Sequence, residues 1–375
     1  MKADRPTQLD GGGWSRYAGQ QMQSSSRKLL VVVAVALALA YAIYRSSGMI
    51  HGASFSGTKL FDAVRGANPC LLILSVVAIY VCYALRSLRW QLFQGNLGSS
   101  HFWTIYKMTL AGFCAVFLLG RAGEPVRPLL LARKEKLPIA DMSGIYALER
   151  IFDLVSAAVI AAIALLLSKS HSLAARTTGS LLFLGVAGAI VFLVYLRLRG
   201  TALLERRLQG WLKAHGWRTK LAGILLGFTR GAQAIRGWGE LTLAVGYSTL
   251  HWFLVLLVYL WVSNSFGGKL GTISLREAMV VMAFTLAGSV FQLPLAGGGS
   301  QLASISVYTT LYGIEKEPAT AAAIVLWLIT FAACSLAGVP LLIHEGFSLG
   351  KLRAMAEHEK EAAGESAARQ GESAQ

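Results

Sequence analysis

Three clusters hold the residues of this chain that could do chemistry. The first is Gly120-Arg121-Ala122-Gly123-Glu124-Pro125-Val126-Arg127-Pro128, at the end of an apolar run. Proline cannot donate to the helical hydrogen-bond ladder, and glycine lets the backbone bend and other groups approach, so a helix is expected to break here. Arg121 and Arg127 carry planar donor forks suited to a phosphate, with Glu124 placed to orient them. The competing reading is a cytoplasmic boundary where arginines snorkel to the surface and Glu124 is solvated.

The second cluster is Glu149, Arg150 and Asp153. Spacings of three and four bring them onto one helical side, where Arg150 and Asp153 can neutralise each other. Ionisable groups at membrane depth are expensive and face a polar cavity or a partner. The third cluster is Gln292, Pro294, Gly297, Gly298, Gly299, Ser300 and Gln301. Its unwound backbone could present N–H groups to an anionic headgroup, or its small residues could serve close helix packing.

Other chemistries find little support. Cys70, Cys82, Cys114 and Cys334 all lie in apolar segments with no CxxC pair, and the histidines lack zinc-ligand spacing, so no metal is expected. No nucleophile–base pair stands at plausible spacing, and no GxxxxGK[ST] phosphate loop is present. Neither catalysis nor a cofactor is expected. Lys107, inside an apolar run, is a weaker binding candidate. Trp103, Trp252, Trp261 and Trp327 read as interfacial anchors or packing groups.

The elements that must position these clusters are membrane helices. Hydrophobic residues make up 55% of the 375 positions and charged ones only 14%, a balance that a soluble core could not hide but a bilayer can. Apolar runs fall at 29–44, 69–85, 103–119, 145–167, 180–196, 241–262, 276–296 and 319–343. They lack the alternation of barrel strands, so the expected fold is all-α, a polytopic helical bundle. Residues 1–28 form a polar tail, 29–345 the membrane domain and 346–375 a second polar tail, with an amphipathic cytoplasmic segment at 197–240. The net charge of +16 lies mainly between apolar runs, which fits anionic lipid and the positive-inside rule rather than nucleic acid.

Two stretches repeat. Thr109-Leu110-Ala111-Gly112 recurs as Thr285-Leu286-Ala287-Gly288 at an offset of 176, and Gly123 falls on Gly299. Each stretch leads into a glycine-bearing break, a short apolar segment and a long helix. If 103–134 and 276–313 are re-entrant hairpins beside about six full spans, 25 of the 35 basic residues fall on the cytoplasmic side, with both termini, and 8 opposite. The two hairpins then enter from opposite faces. Inverted repeats with broken segments point to a transport site between them. Eight full spans is the alternative topology.

The segments GRAGEPVRPLLLARKEK, ALERIFDLV and PLAGGGSQLA resemble the lysylphosphatidylglycerol synthase transmembrane family, over roughly residues 25–345. That resemblance implies a flippase-like domain of the inner (plasma) membrane, associated with moving aminoacylated phospholipids, without the separate soluble transferase. The chain departs from the family pattern at Ala296–Gln301 and at Trp327, which stands at a frequently basic position. The expected function is binding and translocation of a phospholipid or lipid-linked anionic substrate. The alternative is a non-transporting partner of a glycosyltransferase or other envelope enzyme.

Overall fold

The computed structural model describes residues 61–62, 64–95, 97–98, 101–167, 184, 237–289, 292–293 and 297–345. The expected first helix (29–44), the run at 180–196, nearly all of the amphipathic segment and both polar tails lie outside the described residues.

Within the described residues the chain is helical. It comprises α1 (Pro69–Gln94), α2 (Phe102–Leu119), α3 (Val126–Glu135), α4 (Ile139–Leu167), α5 (Trp238–Ser265), α6 (Leu275–Gly288), α7 (Gly299–Ser306), α8 (Lys316–Trp327) and α9 (Cys334–His344). A π turn, Leu328–Ala332, joins α8 to α9, and another, Val307–Leu311, extends α7. The only strands among these residues are Gln292–Leu293 and Gly297–Gly298, a two-residue antiparallel pair at the second break.

Among the described residues, four stretches are long and apolar enough to cross a membrane: Pro69–Gln94, Phe102–Leu119, Trp238–Ser265 and Lys316–His344. Their exteriors are those of lipid-facing helices. On α1, Ile73, Leu74, Val77 and Val81 are exposed, whereas Ser75, Arg86, Ser87, Arg89 and Gln94 are buried. A soluble protein would place these groups the other way round. The protein is an integral membrane protein.

The repeat is visible as architecture. A long helix, a broken helical hairpin and a second long helix occur twice: α1, α2–α3, α4, and α5, α6–α7, α8–α9. The leading helices α1 and α5 form the most extensive contact in the described structure, and they run antiparallel. Asn68 N–H bonds to the Ser265 carbonyl (2.7 Å), Cys82 Sγ to the His251 carbonyl (3.6 Å) and Arg89 Nη1 to Ser248 Oγ (2.7 Å). Equivalent helices packed antiparallel are what an inverted repeat requires. The remaining packing is reciprocal, since α2 of the first hairpin packs on α9 and α6 of the second packs on α4.

Close approach within each hairpin depends on a glycine at the same place of the repeat. A Cβ at Gly112 would fall on the Cβ of Arg127, and a Cβ at Gly288 would fall on the Cβ of Ala303 and the Gly299 carbonyl. Gly288 and Ala303 are Gly112 and Arg127 displaced by 176 positions. The sequence repeat and the packing repeat thus share one register. The turn Gly120–Gly123 lies against Gln292–Leu293, so the two hairpin tips meet.

Short elements favour hairpins that turn back. At about 1.5 Å per residue, the 10 residues of α3 and the 14 of α6 reach only about half to two-thirds of a hydrocarbon core roughly 30 Å thick. The boundary placed at residue 85 is corrected, because α1 continues to Gln94. It therefore carries Arg86 and Arg89, which lie beyond the expected end of that apolar run, into the interior. The antiparallel pairing sets the end of α1 and the end of α5 at opposite poles. A topology reporter inserted at Gly98 is expected to read cytoplasmic and one at Gly268 external, measured by access of an impermeant label; both on one side would contradict the fold.

Candidate functional site

The interior polar centre grows from Glu149 and Asp153, one turn apart on α4 and both almost wholly buried. Burying a carboxylate costs several kcal/mol unless cations and hydrogen bonds compensate it, and here arginines converge from α1, from α3 and from α4 itself. Arg86 Nη1 donates to Asp153 Oδ2 (2.8 Å) and Glu149 Oε1 (3.2 Å). Arg89 Nη2 donates to Asp153 Oδ1 (3.0 Å) and Glu149 Oε1 (3.1 Å), while its Nη1 reaches Ser248 on α5. Arg127 Nη1, from α3, donates to Glu149 Oε2 at 2.6 Å. Arg150 Nη2 closes on Asp153 Oδ2 at 3.2 Å.

Aromatic faces cover what the carboxylates do not. The Arg127 guanidinium lies 4.4 Å from the Trp90 ring centre and 5.6 Å from that of Phe113, which also takes Arg86 at 5.3 Å. Arg89 sits over Phe152 and Arg150 over Tyr146. Stacking of this kind stabilises a partly desolvated cation without neutralising it.

The charges do not balance. Four guanidiniums bind Glu149 and Asp153, and Glu124, the third carboxylate of the region, accepts instead from Tyr146 Oη at 2.8 Å. Even with Glu124 counted, the described residues of the centre carry one surplus positive charge. Donors are also left over: among the described residues, Arg127 Nε and Nη2, Arg89 Nε and Arg150 Nε are buried without a hydrogen-bond partner. A buried group of that kind needs explaining by strain, function or a ligand. The arrangement can hold an anion, and Arg127 is the residue with a free fork edge to offer it.

The sequence-derived candidates separate into those brought together and those not. Arg127, Glu149, Arg150 and Asp153 meet, and the expected Arg150–Asp153 pair is present. Glu124 is corrected, because it binds Tyr146, and the carboxylate that orients Arg127 is Glu149, delivered by a different helix. Arg121 stands on the turn between α2 and α3, and Gln292 on the short strand pair; their side chains lie outside the described residues. Gly298 is corrected too. Its N–H donates to Gln301 Oε1 (2.9 Å) and is not offered to a headgroup. Its φ of 129° is open to glycine alone. Gly299 starts α7 with its carbonyl against Gly288. Lys107 is exposed on α2 and takes no part.

Arg86, Arg89 and His251 were missed by the sequence reading. Their signal was present: two arginines three apart, facing opposite the apolar stripe of α1, and a histidine inside an apolar run. His251 is buried against the Trp252 ring with Nδ1 unpartnered.

Comparison with known proteins agrees with this architecture. Residues 28–338 match the family described as lysylphosphatidylglycerol synthase TM region, which is most of the chain, and the chain belongs to that family. It is also similar to a UPF0104 membrane protein of Methanothermobacter thermautotrophicus, with 23% identity over 324 residues, covering 78% of this chain and 90% of that protein.

The cluster makes a sharp prediction about stability. Glu149→Gln strips three arginines of their shared carboxylate and is expected to cost about 3–5 kcal/mol. The surface pair Lys134–Glu345 is the control, and Lys134→Ala should cost under about 1 kcal/mol. Thermal unfolding in detergent measures both, and equal losses would contradict the pairing.

Proposed function

We propose that this family member binds the phosphate of an anionic or lipid-linked substrate at the arginine cluster and carries its headgroup across the bilayer. The observation that carries the reading is the surplus of buried guanidinium, above all the unpaired Nε and Nη2 of Arg127. A site evolved only for packing would be more stable with its charges matched or replaced by apolar groups. A bound phosphate supplies the missing negative charge and accepts the free donors.

The meeting hairpins supply the route. Their tips touch where neither helix is continuous, and irregular backbone at membrane depth is tolerated where it lines a cavity. In this reading Arg121, on the turn Gly120–Gly123, takes the phosphate before Arg127 does. The chain has no ATP-binding loop, so movement would follow a gradient, a partner or the lipid distribution itself. The cationic face of the cluster belongs to the cytoplasmic half of an inner-membrane topology in which the basic loops lie inside.

Arg127→Lys tests the reading because lysine preserves the charge opposite Glu149 but loses the second donor edge. Translocation of a labelled anionic phospholipid in proteoliposomes is expected to fall about tenfold or more, the scale of one lost hydrogen bond to a charged group, with the melting temperature nearly kept. Unchanged translocation would remove Arg127 from the path. A wild-type protein that moves no lipid but co-purifies with an envelope enzyme would favour a scaffold instead.

A further inference from the structure

One buried titratable group stands beside the arginine network without bonding to it. His251 lies midway along α5, 5% exposed, with its ring edge-on to Trp252 at 5.3 Å between centres. Among the described residues its Nδ1 has no hydrogen-bond partner. A histidine held for a structural hydrogen bond would not leave a ring nitrogen bare at that cost. The repeat argues against a packing role as well. Under the 176-residue offset the equivalent of His251 on α1 is Ser75, also buried, whose hydroxyl donates to the Leu71 carbonyl of its own helix at 2.7 Å. The imidazole belongs only to the copy of this position that lies beside the arginines.

Contacts on both sides set its place relative to the network. Ser248, three residues earlier on α5, accepts from Arg89 Nη1 at 2.7 Å. Cys82, whose thiol donates to the His251 carbonyl at 3.6 Å, lies one turn before Arg86 on α1. Arg86 and Arg89 of α1 and Asp153 of α4 act on the ring electrostatically. Glu149 of α4 is tied to the same two arginines. The other charges on α5, and those on α6 and α8 packed against it, are Glu240, Arg276, Glu277, Lys316 and Glu317. All five sit in the first turns of their helices, away from the midpoint of α5.

The charge count gives this ring a task. The described residues of the centre already hold one surplus positive charge, and a proton on His251 adds a second. An anion at Arg127 removes the first and leaves the imidazole lone pair, beside Asp153, to take a proton. Each ligand then favours the other, by the same factor in both directions. Histidines inside membrane spans serve proton relays for this reason: the ring gains or loses a charge with its surroundings.

We propose that His251 is a proton site and that this protein moves one proton together with each anionic headgroup. The inference rests on the phosphate reading above and names the gradient that drives it. The proton comes from water on one side of the membrane and adds to the lone pair of the imidazole. It leaves to water on the other side when the anion is released. A singly charged headgroup and one proton cross as a neutral pair, so a pH gradient drives the movement and a membrane potential alone does not.

The full chain in weakly buffered detergent tests this, with phosphatidylglycerol, a singly charged phospholipid, as the probe and the pH change on binding as the readout. Wild type should take up about one proton per lipid bound. His251→Gln, which keeps a polar side chain of similar length but has no basic nitrogen, should bind with no uptake. In proteoliposomes, a gradient of one pH unit should enrich labelled phosphatidylglycerol about tenfold in the leaflet facing the alkaline side. A membrane potential imposed without a pH gradient should not. His251→Asn repeats both measurements should the glutamine variant melt lower than wild type. Lipid bound without proton uptake, uptake retained in the variants, or enrichment driven by potential alone would overturn the proton site and leave the phosphate reading standing. A wild-type protein that binds no anionic lipid would overturn both.

Discussion

Two carboxylates that cannot face water set the terms for everything around them. Glu149 and Asp153 sit on a membrane helix, and isolated there each would be far too costly to keep ionised. Arg86 and Arg89 from α1, Arg127 from α3 and the neighbouring Arg150 make them tolerable, and Ser248 brings α5 into the same network. Because these partners come from different helices, the polar bonds fix how the helices pack, which apolar contact alone does weakly in a bilayer. Among the described residues the network overshoots neutrality, and the proposed function assigns that overshoot to an anion.

An inverted repeat gives two equivalent hairpins, and this chain has made them unlike. Gly112 and Gly288 hold the same place in their hairpins, yet the residue packed on the first is Arg127 and on the second Ala303. One half concentrates guanidinium, and the other arranges an amide, an indole and hydroxyls around a closed crevice.

Much of this was legible in the residues, and the failures have physical causes. The membrane class followed from composition, and the repeat from Thr109-Leu110-Ala111-Gly112 against Thr285-Leu286-Ala287-Gly288, because close packing needs glycine at both places. Helical spacing correctly joined Arg150 to Asp153. Proximity in sequence misled at Glu124, whose natural partner Arg127 is three residues away but separated by the start of a new helix, so that Glu149 takes it instead. Arg86 and Arg89 were assigned to a loop because a run of apolar residues ends there; a helix lined by a polar interior keeps going. The role of Trp327 in a crevice depends on the fold bringing α7 beside α8, which no local pattern encodes.

A structure of the protein in nanodiscs containing an anionic phospholipid tests the central claim most directly. The account predicts headgroup phosphate density within hydrogen-bonding distance of Arg127 Nη2, with the Glu149 bridge to Nη1 intact. Ordered water alone at that edge, with lipid phosphates confined to the outer surface of the helices, would contradict it.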